Sequence, residues 1–173
     1  PGTKFLTVGG AVASDVHGKN HHVDGSFSRH IVSMSVLTGT GETLVCNAST
    51  NEDLFWATCG GMGLTGIILD VKFRLKRINT AFIRQRQIKA RNLQEIMDLF
   101  EENVDSTYSV AWIDCLKSGK NFGRSILILG EHATVDEVNT DKLLVPKEGG
   151  SALASPSQRL FVLTSVVSIL FRF

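Results

Sequence analysis

Residues 7–22 of this 173-residue chain read TVGGAVASDVHGKNHH. Gly9 and Gly10 set bare backbone side by side, and a run of small residues follows. Glycine has no side chain, so ligand atoms can approach such backbone closely. Exposed N–H groups at a helix start suit a phosphate or an electron-rich ring oxygen. A second cluster, CGGMGLTG at residues 59–66, repeats the chemistry. There Gly60, Gly61, Gly63 and Gly66 would let backbone lie against something flat or anionic. Two tight turns are the plainer reading of the same glycines.

Two glycine-loop chemistries are excluded by spacing. Gly9-Gly10 is adjacent and begins no GxGxxG, and Gly18-Lys19 is followed by Asn20, which breaks a P-loop. His17, His21 and His22 form HxxxHH, which does not match a zincin helix, and no carboxylate or cysteine completes a ligand set. No metal site is expected. His17 is better read as a hydrogen-bond donor packed against a ring, His21 and His22 as loop residues, and His30 and His132 as surface or strand residues. Cys59 and Cys115 have no basic partner nearby in sequence and read as buried thiols.

The net charge of +1 predicts attraction neither to nucleic acid nor to a membrane surface. Cys46, Cys59 and Cys115 form no disulfide or metal pattern, which points to a reducing, cytoplasmic compartment. The longest apolar-rich run, Leu160 to Phe171, is too short to span a bilayer, so no transmembrane segment is expected.

The elements that must position these groups read as α+β. Residues 3–8 read as a strand entering a Gly9-Gly10 turn, with helical turns over Ala11 to Val16. His30 to Leu37 and Glu42 to Cys46 read as strands joined by TGTGE. Ser49 or Thr50 can cap a helix that carries Leu54, Phe55 and Trp56 and breaks at Gly60-Gly61. Alternation puts Leu69, Val71, Phe73 and Leu75 on one face of a strand within 65–76. Glycine clusters then cease. Residues 81–90 read as a strand, and Asn92 caps a helix with Glu95 at the reciprocal capping-box position. Leu93, Ile96, Met97, Phe100 and Val104 follow at helical spacing. Tyr108 to Cys115 and Arg124 to Leu129 read as strands, and 144–158 as a loop. The style changes near Arg77 to Thr80, which divides the chain into 1–78 and 79–173.

PGTKFLTVGGAVASDVHGKNHHVDGSF, at the start of the chain, resembles the FAD-linked oxidases of the vanillyl-alcohol oxidase type. So does DLFWATCGGMGLTGIIL at residues 53–69. The likeness is strongest over residues 1–75, fair through 81–135 and poor from Val145 onward. It implies that 1–78 is the second lobe of a two-lobed FAD-binding domain, a mixed or antiparallel sheet with flanking helices. Residues 79–173 would be part of an α+β substrate domain, so the chain would be a fragment. Carried over by position, Gly2, Thr3, Thr7, Gly9, Gly10, Ser14, His17, Gly63 and Ile68 would contact a non-covalent FAD. Met62 stands where relatives often carry Asn. His17 and Lys19 would be catalytic, Lys19 facing the substrate.

The resemblance further implies oxidation of a secondary alcohol of a sugar, the ribose 2′-hydroxyl of a polyprenylphosphoryl ribose, within cell-wall arabinan synthesis. A separate NADH-dependent reductase would consume the ketone. A lipid-linked substrate would bring the protein to a membrane. A related oxidase of a soluble sugar alcohol or aldonolactone, or a flavin-free inactive fragment, would share the same motifs.

Overall fold

The computed structural model describes residues 5–138 and 159–162. Gly2, Thr3 and the loop expected over 144–158 lie outside the described residues. The chain divides into two compact units, Pro1–Lys76 and Arg77–Phe173. Both are α+β, and every strand pairing described is antiparallel.

The first unit opens with helix α1 (Val8–Ala13), where a strand and turn were expected. Thr7 decides this. Its hydroxyl oxygen accepts from the Gly10 N–H at 3.1 Å, and its carbonyl accepts from Ala11 N–H. An N-cap of this kind contributes about 1 kcal/mol, similar to the helix cost of one glycine. Burial of Ala11 and Val12 in the core adds to it, so the helix runs through both glycines. A four-residue helical turn α2 (His21–Asp24) follows, then strands β1 (Ile31–Leu37) and β2 (Thr43–Cys46), helix α3 (Glu52–Thr58) and strand β3 (Ile67–Phe73). The sheet order is β2-β1-β3. Val12, Met34, Val36, Cys46 and Phe55 form the buried core, with Ile68 and Val71 packed against it.

Two local expectations fail here for identifiable reasons. Helix α3 is capped by neither Ser49 nor Thr50. Their N–H groups both donate to Asn47 Oδ1, which makes a side-chain turn, and the N-cap falls to Asn51 in the left-handed region at φ 47°. Asn tolerates that conformation better than most residues. Strand β3 does not keep a single alternation. Ser35 pairs with Asp70 but Val36 with Ile68, so the register shifts at Leu69. This β-bulge turns Leu69 outward and brings Ile68 and Val71 to the core. Leu75 lies beyond the strand end and is exposed.

The second unit contains β4 (Phe82–Ala90), α4 (Leu93–Glu102), β5 (Tyr108–Ile113), β6 (Ser125–His132) and β7 (Arg159–Val162), with sheet order β5-β6-β4-β7. The sequence reading did not anticipate β7. Asn92 Oδ1 accepts from Glu95 N–H as expected, but the Glu95 carboxylate accepts from Arg91 N–H, not from the cap residue. Of the predicted α4 stripe, Ile96 and Phe100 join Leu99 over Leu127, while Met97 and Val104 stay exposed. His132 is tied on both sides. Its Nδ1–H donates to the Thr80 carbonyl at 3.0 Å, and its Nε2 lies 2.9 Å from the Tyr108 hydroxyl. Cys115, read as a buried thiol, is exposed because it sits past the end of β5. Among the described residues, no helix is long and apolar enough to cross a membrane.

Candidate functional site

Helix α1 is the centre of the candidate site. Its C-terminal carbonyls receive the second glycine segment: Gly60 N–H donates to Val12 O at 3.0 Å, and Met62 N–H to Ala13 O at 2.8 Å. The second bond satisfies a carbonyl that a helix end otherwise leaves open, and the first adds to the Asp15 N–H already on Val12 O. The Ser14 hydroxyl points to Met62 Sδ at 3.8 Å. The second glycine cluster therefore docks on the C-terminal end of the helix whose first turn holds Gly9 and Gly10. Met62 adopts φ 52°, a left-handed conformation that Asn accepts more readily than Met. Backbone shape would thus account for the Asn that the resemblance implies at this position, without any ligand contact.

The glycines fall into two kinds. A Cβ on Gly9 or Gly63 would meet nothing within 4 Å. A Cβ on Gly61 would lie 2.1 Å from Ala57 O, and one on Gly66 2.3 Å from Leu37 O. Gly10 is intermediate: its Cβ would lie 3.0 Å from the capping Thr7 Oγ1 and 3.4 Å from Leu6 Cδ1. Ile68 is half-buried against the core, and Thr7 and Ser14 are exposed.

His17 is exposed, with its ring centroid 4.9 Å from that of His21. Lys19 is partly buried, and that desolvation lowers the pKa of its ammonium. Both lie on a loop whose base is closed by a residue the sequence reading passed over. Asp15, at φ 39°, accepts from Ser28 N–H at 2.8 Å, from Ser26 Oγ at 2.8 Å and from Ser28 Oγ at 3.1 Å. Val16 O accepts from Phe27 N–H at 2.9 Å beside it. The far side of the loop is held by Lys76, whose ammonium sits 2.8 Å from Asp24 Oδ2. That hydrogen bond, with a second from Asn20, holds the Asp24 carboxyl below the usual range. The signal for Asp15 was in the sequence: an Asp directly after a small-residue helix, with Ser-x-Ser about a dozen residues on.

The residues present fit a flat cofactor with anionic groups. Gly9 and Gly63 leave backbone uncovered. Phe5, Val8, Met62 and Leu64, neighbours of the glycines in sequence, expose large apolar side chains, Leu64 at 92% and Phe5 at 86%. Apolar side chains exposed together can mark a surface that a ligand covers. Among the described residues, no group of three or more His, Cys, Asp or Glu side chains is arranged to hold a metal ion.

No protein-family model matches the chain. Curated relatives do. Decaprenylphosphoryl-beta-D-ribose oxidase of Mycolicibacterium smegmatis is 40% identical over 141 residues, 80% of this chain and 31% of that enzyme. An uncharacterized protein of Streptomyces coelicolor, from the mprA 5′ region, is 35% identical over 91% of this chain and 43% of its own length. Cytokinin dehydrogenase 3 of Arabidopsis thaliana is 36% identical over 42% of this chain and 14% of its own length. The chain thus spans less than half the length of each of these relatives. The chain resembles these oxidoreductases, the ribose oxidase of Mycolicibacterium smegmatis among them.

Proposed function

We propose that the first unit is the second lobe of an FAD-binding domain and that the second unit is the first part of a substrate domain. On this reading the protein oxidises a secondary alcohol of a sugar, the ribose 2′-hydroxyl of a polyprenylphosphoryl ribose. The observation that carries it is the docking of Gly60 and Met62 N–H on the end of α1, which joins both glycine segments. The similarity to a ribose oxidase over 80% of the chain supports the substrate class.

Bound FAD would supply the redox chemistry, accepting the hydride that leaves the carbinol carbon while the hydroxyl proton goes to a base. The chain's residues position and stabilise. Thr7, Gly9, Gly10, Ser14, Gly63 and Ile68, with Gly2 and Thr3 outside the described residues, would hold the cofactor non-covalently. Gly9 and Gly63 do so by offering uncovered backbone. His17 would donate an N–H hydrogen bond where negative charge accumulates on reduction, an electrostatic role. Lys19 would face the substrate. Its partial desolvation strengthens its attraction for an anionic or polarised oxygen.

The test is anaerobic rapid mixing of the flavin-loaded full-length protein with a polyprenylphosphoryl ribose, and separately with a soluble aldonolactone. Bleaching of flavin absorbance by the lipid-linked sugar alone is expected. Bleaching only by the soluble compound would move the substrate class. Bleaching by neither would overturn the reading. The His17→Ala variant should bleach on the order of a hundredfold more slowly, as loss of one preorganised donor typically costs. A separate NADH-dependent reductase acting on the ketone would follow from this substrate.

A further inference from the structure

We propose that Asp15 is the positioning residue of the loop that carries His17 and Lys19. This rests on the functional reading above and adds a residue to it. One carboxylate receives three hydrogen bonds from across the loop base: Ser28 N–H on Oδ1, and the hydroxyls of Ser26 and Ser28 on Oδ2. Hydrogen bonds to a charged acceptor are the stronger kind, and leaving the donors unpaired is costly. Ser28 is buried, so its N–H has no ready replacement from water.

Asp15 also sits in the left-handed region at φ 39°. A non-glycine residue is held there only when its surroundings over-determine it. The surroundings here are the three bonds, together with Asp15 N–H donating to Val12 O at 3.0 Å. The chain leaves α1 at the C-cap Ser14, Asp15 makes the turn, and His17 and Lys19 follow it. Val16 O with Phe27 N–H completes the closed base. His17 is two residues from Asp15, so a change in its backbone conformation swings the imidazole directly. An exposed ring has little packing of its own to resist that swing. Asp15 touches no reacting group in this assignment. It acts through His17 and Lys19.

The experiment compares Asp15→Ala, Asp15→Asn and Ser28→Ala in the full-length protein. Amide hydrogen exchange at Phe27 and Ser28, and the nuclear Overhauser contact between the His17 and His21 rings, report the loop without any cofactor. Flavin affinity and anaerobic flavin reduction report function. Asp15→Ala should raise Ser28 exchange by about tenfold or more and lose the ring contact. It should slow reduction by about tenfold while flavin affinity changes little. Asp15→Asn keeps an oxygen for the Ser28 N–H, and the hydroxyls can turn to accept from its amide, so it should restore most of both readouts. Ser28→Ala removes one bond of the three and should fall between. If Asp15→Ala does not fold, the other two variants still order the effects.

Unchanged exchange and an intact ring contact in Asp15→Ala would overturn the proposal. So would a disordered loop with reduction at the wild-type rate. If wild-type flavin is reduced by no sugar, the functional reading fails instead, and the exchange data still decide whether Asp15 sets the loop.

Discussion

The two glycine clusters look alike in sequence and differ in the fold. In the second, Gly61 and Gly66 are required by the protein itself: their missing Cβ atoms make room for the carbonyls of Ala57 and Leu37. Gly66 adds φ 147°, which side chains other than glycine rarely adopt. In the first, Gly9 makes room for nothing in the chain. Gly63, inside the second cluster, also has open space around it, but its φ of 79° favours glycine for the backbone's own sake. Glycine clusters therefore need sorting by what occupies the space. Where the protein's own backbone fills it, glycine serves the fold. Where the space is open in a segment flanked by exposed apolar side chains, a ligand is the better explanation.

Substitution can break or sharpen this division. Gly66→Ala should have the largest effect. Backbone strain and the clash with Leu37 O together cost on the order of 3 kcal/mol. Thermal or urea unfolding of the full-length protein would show it, and a wild-type midpoint would show that the β1–β3 contact gives way easily. Gly9→Ala should do the opposite. Stability should hold or rise slightly, since alanine is favoured over glycine in a helix by about 1 kcal/mol. FAD affinity should fall by about tenfold or more, read by flavin fluorescence titration. Unchanged affinity would remove Gly9 from the cofactor site.

Gly10→Val lies between the two. Its Cβ meets the Thr7 cap and Leu6, so loss of the cap, about 1 kcal/mol, comes first. If FAD affinity falls by more than the loss of stability in urea unfolding accounts for, the cofactor also approaches Gly10. A fall in affinity that only tracks the loss of stability would assign Gly10 to the cap alone.

A smaller effect compares cysteines in the two units. Burial, with a lesser contribution from the Asp15 charge, pushes the Cys59 thiol up to about 11. The thiolate is the reactive form, so at pH 7.5 Cys59 should alkylate far more slowly than exposed Cys115. Mass spectrometry after brief iodoacetamide treatment would resolve the order. Faster labelling of Cys59 would mean that the core of the first unit opens locally.

The same contrast explains what was legible in the sequence. The second unit reads well because its elements follow local rules: Asn92 caps α4, and β4, β5 and β6 carry residues suited to strands. Its miss, β7, is a short strand recruited by pairing with the edge of β4, which no local pattern marks. The first unit reads worse because tertiary contacts override local preference. Glycine argues for a turn at residues 9 and 10, yet the Thr7 cap and burial of Val12 give a helix. Alternation argues for Leu69 in the core, yet one extra residue opposite Ser35 and Val36 turns it outward. His17 and Lys19 are candidates because the HGKNHH motif is distinctive. Asp15 was missed because its partners, Ser26 and Ser28, are more than ten residues away.

The central claim is that the joined glycine segments hold a flavin, and the most direct test is an absorption spectrum of the purified full-length protein. The account predicts yellow protein with flavin bands near stoichiometric amount. The colour should pass into the supernatant on acid precipitation, as a non-covalent cofactor does. A colourless protein that takes up no FAD when the cofactor is supplied in excess would contradict it.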